Sequence, residues 1–187
     1  AFLDTKGVRQ HQIVDVCENE YDEHPFDAVN SDLNTVLQDA NVASQIGLAE
    51  MFDASIGKST VLMPFGGKYQ LTPEEGSVQK LPVHGMTNTC SVMTYGYDPK
   101  VSKYSPYLGA SYSVVEALAR ITALGADYKK CRLSNQEYFE RLGADAQKWG
   151  QPFEALLGLI DAQLAFETPS IGGKDSMSGT YKDIHVP

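Results

Sequence analysis

Apolar positions along this chain follow two spacings, one helical and one strand-like. Over residues 105–127, SPYLGASYSVVEALARITALGAD, they recur every three or four residues, which predicts a helix. Ser105 is placed to cap it, Pro106 takes the first helical position, and Gly125 lies near its end. Leu108, Tyr112, Val115, Leu118, Ala119 and Thr122 form its expected inward stripe. Residues 151–167, QPFEALLGLIDAQLAFE, repeat the pattern, with Pro152 near the start and Phe153, Leu156, Leu157, Ile160 and Leu164 expected inward. A short helix is expected after a Ser31 cap, with Leu33, Val36, Leu37 and Ala40 on one face. ASQIGLAEMFD (43–53) reads as another. In SNQEYFERLG (134–143), Ser134 with Glu137 three residues on forms a capping box and predicts a further helix.

Strand-like stretches are fewer. NTCSVMTYGY (88–97) is the clearest, with β-branched and aromatic residues separated by small polar ones. TVLMPFGG (60–67) is a β-type run ended by glycines, and CRLS (131–134) is a short candidate. Residues 68–87 carry Pro73, Gly76, Pro82 and Gly85 and are expected to form a loop. Strands and helices mix without a βαβ rhythm, so the expected class is α+β. Residues 1–45 read as a linker with a short helix, polar and acidic at CENEYDEHPFD (17–27), and 46–187 as the domain. Neither end reads as finished, and the chain is expected to be cut from a longer one.

Composition narrows the choice of partners. The net charge of −9 disfavours nonspecific binding to nucleic acid or to an anionic membrane. No apolar run approaches the ~18 residues that spanning a bilayer requires. Cys17, Cys90 and Cys131 are far apart, without a CxxC pair, which speaks against a zinc site or a disulfide framework. A reducing cytoplasm fits that usage. Cys90 and Cys131 are expected as small core residues of strands.

One segment carries concentrated chemistry: SIGGKDSMSGT, residues 170–180. Gly172 and Gly173 allow close approach of a ligand, Lys174 supplies a point charge, and Asp175 an oxygen for a metal or a proton. Ser176, Ser178 and Thr180 add hydroxyls. The set suits phosphate or a nucleotide with its metal ion. Two phosphate motifs are excluded. A P-loop needs glycine where Thr168 stands and Ser or Thr where Asp175 stands, and no GxGxxG is present. The plainer alternative is a polar turn between a helix and a strand.

SIGGKDSMSGTYKDIHVP resembles a segment of phosphoribosylformylglycinamidine synthase, in its large single-chain form. FDASIGKSTVLMPFGGKYQLTP (52–73), TNTCSVMTYGYDPKVSKYSPYLGA (87–110), VVEALARITALGADYKKCRLSNQEYFERLG (114–143) and PFEALLGLIDAQLAFETPSIGGKDSMSG (152–179) resemble the same region in the same order. The resemblance implies the N-terminal domain of the second of two halves, each like aminoimidazole ribonucleotide synthase. It implies a mixed sheet with helices on one face, truncated here at its C-terminal end. It also implies an ATP- and glutamine-dependent ligase converting formylglycinamide ribonucleotide to the amidine, with the principal active site in other parts. This piece would then be inactive alone, and its implied partners are the first half and a glutaminase domain.

The family's second half holds an auxiliary nucleotide, so the implied cofactor is ATP or ADP with magnesium. Gly172, Gly173, Lys174, Asp175, Ser176 and Ser178 are its expected contacts, with Arg120. Glu116 matches a metal-binding Glu of the family. Arg120 stands where an Asn is expected, and Thr89 where an Asp is expected. Arg120 would repel a cation, but can pair with Glu116 at i,i+4 or meet phosphate. A scaffold domain with a decayed nucleotide site is the competing reading, and it expects an isolated copy to self-associate through an exposed sheet face. Lys58 and Lys68 read as solvated loop lysines, and His84 and His185 as structural. Trp149, Tyr104, Tyr107 and Tyr112 are expected to pack the domain or a partner half. Asp127, an acid at a helix end, hints at a local partner or a functional place.

Overall fold

The computed structural model describes residues 11–16, 32–40, 42–52, 54–55 and 58–186. Cys17, Ser31 and the acidic stretch 17–27 lie outside them. The chain divides into two compact units, neither continuous in sequence. One comprises Ala1–Asn19, Asp98–Ser111 and Arg132–Pro187, the other Glu20–Tyr97 and Tyr112–Cys131.

The second of these begins with two short helices, α1 (Leu33–Gln38) and α2 (Ile46–Ala49). Asp32 caps α1, accepting from the N–H groups of Asn34 and Thr35. The Thr35 hydroxyl, donating to the same carboxylate, holds it below the usual Asp range. Four strands follow: β1 (Phe65–Gly66), β2 (Thr72–Pro73), β3 (Gly76–Lys80) and β4 (Cys90–Thr94). β1 pairs with β2 and β3 with β4, both antiparallel. β4 lies where a strand is expected, but β2 and β3 lie where a loop is expected. Pairing over five positions, Gly76↔Thr94 to Lys80↔Cys90, outweighs the local turn signals.

Helix α4 (Pro106–Ala123) begins as its sequence indicates. Ser105 is fully buried and its hydroxyl accepts from the N–H of Leu108. A separate helix not foreseen, α3 (Pro99–Tyr104), precedes it, capped by Asp98. The inward face of α4 is Val114, Leu118 and Ile121, rotated from the expected stripe. Tyr112, Val115, Ala119 and Thr122 are exposed. A 3-10 turn at Tyr128–Lys130 follows, and Asp127 is its cap, accepting from the Lys129 N–H. Of the two readings, a local partner or a functional place, this contact is a local partner. Cys131 closes the turn outside any strand, and both Cys90 and Cys131 are half-buried rather than core.

The other unit contains β5 (Leu133–Tyr138), α5 (Ala146–Phe166), β6 (Ser170–Ser176), β7 (Thr180–Tyr181) and β8 (Ile184–His185). β5 replaces the helix expected from the Ser134–Glu137 capping box. Its burial alternates, with Leu133, Asn135 and Glu137 half-buried and Ser134, Gln136 and Tyr138 exposed, which is the period of a strand. Parallel pairing with β6 stabilises that period over the local helix signal. α5 starts five residues before the expected Gln151 because Asp145 caps it, so Pro152 lies inside the helix. Phe139, Leu142 and Ala155 form a small core, with Ala110, Trp149 and Met177 packed against it.

The expected mixture of helices and strands is present, with parallel and antiparallel pairs both represented. The described strands form four two-stranded sheets, not one sheet with helices on one face. Among the described residues no helix is long and apolar enough to cross a membrane.

Candidate functional site

The predicted site residues fall into two groups, one in each unit. Glu116 and Arg120 lie one turn apart on α4, and their side chains meet, Arg120 Nη2 standing 2.8 Å from Glu116 Oε1. The other Glu116 oxygen accepts from the Tyr97 N–H at 2.8 Å. Arg120 also donates to Glu75 at 3.0 Å and to the Tyr95 carbonyl at 2.6 Å, and its guanidinium lies 4.5 Å from the Tyr95 ring centroid. Both oxygens of Glu116 are thus engaged within the protein. A divalent ion there would have to displace the guanidinium, and Glu116 as placed does not fit a metal. Thr89 is exposed on the segment leading into β4, with its N–H bonded to the Thr87 hydroxyl. Glu75 and Tyr95 carry no motif and were not legible as members of this group.

Gly172, Gly173, Lys174, Asp175 and Ser176 lie on β6, which is a strand and not a turn. Ser178 follows it and is exposed. A strand sends alternate side chains to opposite faces, so the ligand inventory is divided. Lys174 and Ser176 share one face, the ammonium donating to the hydroxyl at 2.6 Å and lying 5.3 Å from the Tyr138 ring. Asp175 points to the other face, in register with Glu137 of β5. Gly173 backs directly onto the Asn135 carbonyl, where any Cβ would collide with backbone. Gly172 has open space around it. The first face can therefore present one cation and one hydroxyl to an anion, and the second presents two carboxyls.

Glu137 was read from sequence as the capping-box partner of Ser134 and not as a site residue; the two-residue alternation of LSNQEY was the signal that could have placed it beside Asp175. Burial pushes its carboxyl from 4.5 up to about 7, with the charge of Asp175 adding to the effect. A carboxyl whose pKa is raised on folding contributes stability that is complete below its unfolded value and lost as pH rises through about 7. Glu137→Gln is therefore expected to flatten the pH dependence. The variant should match the parent near pH 5 and exceed it near pH 8 by about 1–2 kcal/mol, less than the full shift implies because the group is partly solvated. Urea midpoints at the two pH values check this, and a parent and variant that change in parallel would refute it.

The remaining candidates have structural surroundings. Lys58 and Lys68 are exposed, and Lys68 lies over the Tyr69 ring. His84 is exposed, while His185 lies 3.1 Å from the Thr180 hydroxyl and 3.5 Å from Glu140. Trp149 donates to the Gly143 carbonyl, and Tyr107 to Asp161 at 2.6 Å. A cavity of about 210 Å³ between α3, the segment after β5, α5 and β8 is lined by Tyr104, Glu140, Glu154 and His185 among others, but by none of residues 172–178. Glu140 within it is paired with Lys148 at 2.7 Å, a bond that raises the lysine's pKa. Among the described residues, no group of three or more His, Cys, Asp or Glu side chains is arranged to hold a metal ion.

No family model matches the chain. Curated relatives do, and they carry the name the sequence resemblance indicated. The chain is 28% identical over 162 residues to the phosphoribosylformylglycinamidine synthase subunit PurL of Pyrobaculum calidifontis, covering 85% of this chain and 21% of that protein. It is 27% identical over 153 residues to the subunit of the same name from Methanocaldococcus jannaschii, covering 80% of this chain and 19% of the relative. The chain thus spans about a fifth of the length of these relatives. Among solved structures, its fold is similar to part of PurLQS from Thermotoga maritima, with a TM-score of 0.61 at 16% identity over 78% of this chain and 22% of the other. T. maritima PurL complexed with ATP matches over the same shares, with a TM-score of 0.58 at 16% identity.

Proposed function

We propose that this chain is a segment of a phosphoribosylformylglycinamidine synthase, the cytoplasmic ATP- and glutamine-dependent ligase that makes formylglycinamidine ribonucleotide in purine biosynthesis. The observation that carries this is the likeness to PurL subunits over most of the chain. We place it in the N-terminal domain of the second synthase-like half, working with the first half and a glutaminase domain and inactive by itself. Its contribution is an anion-binding surface on β6 for the phosphates of ATP or ADP. Lys174 and Ser176 on one exposed face support that role, as do the glycines before them. Magnesium would arrive with the nucleotide, since the carboxylate of Glu116 is engaged by Arg120 and Tyr97.

A second reading is a scaffold domain without a working nucleotide site. The Glu75–Arg120–Glu116 cluster favours it, because a phosphate contact by Arg120 would have to compete with two carboxylates. Calorimetric titration with ADP and ATP, each with and without magnesium, separates the two. The nucleotide reading expects binding that Lys174→Ala weakens about tenfold, roughly the loss of one charged phosphate contact. Binding indifferent to Lys174 would overturn the assignment to β6, and no binding in this chain or in one extended to the relatives' length supports the scaffold.

A further inference from the structure

Helix α5 does not bury the face its sequence suggests. Phe153, Leu156, Leu157, Ile160 and Leu164, expected inward, are exposed, while Gly150, Ala155, Gly158 and Ala162 are buried. The same rotation takes Glu154 inward, where it is only 5% exposed. Burying a carboxylate is costly unless hydrogen bonds or a cation offset its charge. Glu154 lines the cavity of about 210 Å³ bounded by α3, the segment after β5, α5 and β8, all of them in one unit.

The lining divides by chemistry. Phe139, Pro106 and Val186 supply apolar wall, and Gln151 supplies an amide that both donates and accepts. Glu140 brings a second carboxylate, its side chain 17% exposed. Lys148 and His185 approach it at 2.7 and 3.5 Å, both at Oε2, so that Oε1 keeps its capacity to accept. Lys103, the lysine of the lining, is exposed.

We propose that this cavity binds a small organic monocation, an alkylammonium or alkylguanidinium. Its N–H groups meet Glu140, Glu154 and Gln151, and its hydrocarbon part lies against Phe139, Pro106 and Val186. Ionised carboxylates accept and do not donate, so they select a donor-rich cation and repel an anion. A metal ion does not fit, because among the described residues no group of three or more His, Cys, Asp or Glu side chains is arranged to hold one. The net charge of −9 draws cations towards the chain. Size sets the limit. A cavity of ~150 Å³ takes benzene, so one of about 210 Å³ takes about eight non-hydrogen atoms. The site shares no residue with the 172–178 segment, and the proposal does not depend on the nucleotide reading.

n-Butylguanidinium has that size and is the probe; n-butylurea is its neutral isostere. Titrated into the full chain, the guanidinium should saturate with a dissociation constant of roughly 1 mM. Backbone amide NMR signals of Glu140, Gln151 and Glu154 should move together along that titration. n-Butylurea should bind at least about tenfold more weakly, and pentanoate should not bind. Glu154→Gln should weaken the guanidinium about tenfold, with circular dichroism verifying that the variant is folded. If it does not fold, the three ligands on the unaltered chain decide the matter. Shifts that never saturate or that fall away from the cavity would overturn the proposal. So would urea binding as well as guanidinium, or undiminished binding by the folded variant.

Discussion

Gly158→Ala is expected to destabilise the protein by about 3 kcal/mol, although alanine is normally the better helix residue by about 1 kcal/mol. The reason is the contact between α5 and the first turns of α4. A Cβ at Gly158 would run into the Tyr107 carbonyl and come within 2.9 Å of the Ser111 hydroxyl. Ser111 Oγ stands 2.9 Å from the Tyr107 carbonyl and 3.1 Å from that of Gly158, so one hydroxyl joins the two helices. Moving the helices apart to admit a methyl group would stretch that bond and the Tyr107–Asp161 bond as well. The nearest atom, the Tyr107 carbonyl oxygen, is backbone, so turning the Ser111 side chain alone would not relieve the clash. The melting temperature should fall by roughly 6–12 °C. Gly47→Ala is the internal control, because nothing lies within 4 Å of a Cβ there, and it should be neutral or slightly stabilising. A loss below about 1 kcal/mol at Gly158 would show that the helices do not approach this closely.

Arg120→Ala should cost about 2 kcal/mol, the next largest effect. The side chain is only 16% exposed and joins three parts of its unit: Glu116 on α4, Glu75 before β3 and the Tyr95 carbonyl after β4. Glu75 is 57% exposed, so its ion pair is screened and contributes little. Most of the loss comes from the Tyr95 carbonyl and ring and from Glu116, which would keep only the Tyr97 N–H. Arg120→Lys should recover less than half, since an ammonium cannot span three acceptors while lying flat on a ring. Thermal melts of the two variants, with a fall of roughly 4–8 °C for alanine, check this. Full stability in the alanine variant would mean that the cluster is a surface arrangement without structural weight. It would also free Arg120 for a phosphate.

Several features were fixed locally and were legible in the residues. The Ser105–Pro106 start of α4 follows from a hydroxyl and a ring with only one good place in a helix. The Glu116–Arg120 pair follows from i,i+4 spacing alone. The strand at Cys90–Thr94 follows from its β-branched composition, and the likeness to the synthase from long ordered segments. What required tertiary structure was every choice between two locally acceptable answers. Periodicity announces that α5 has two faces but not which one is buried; the close approach at Gly158 and Ser111 gives that place to the small residues. Ser134 and Glu137 satisfy a helix cap by themselves, but in-register pairing of β5 with β6 makes the same residues a strand. That pairing also divides the predicted ligand set, because the pleat sends Lys174 and Ser176 one way and Asp175 the other, toward Glu137, which the sequence offered only as a helix cap.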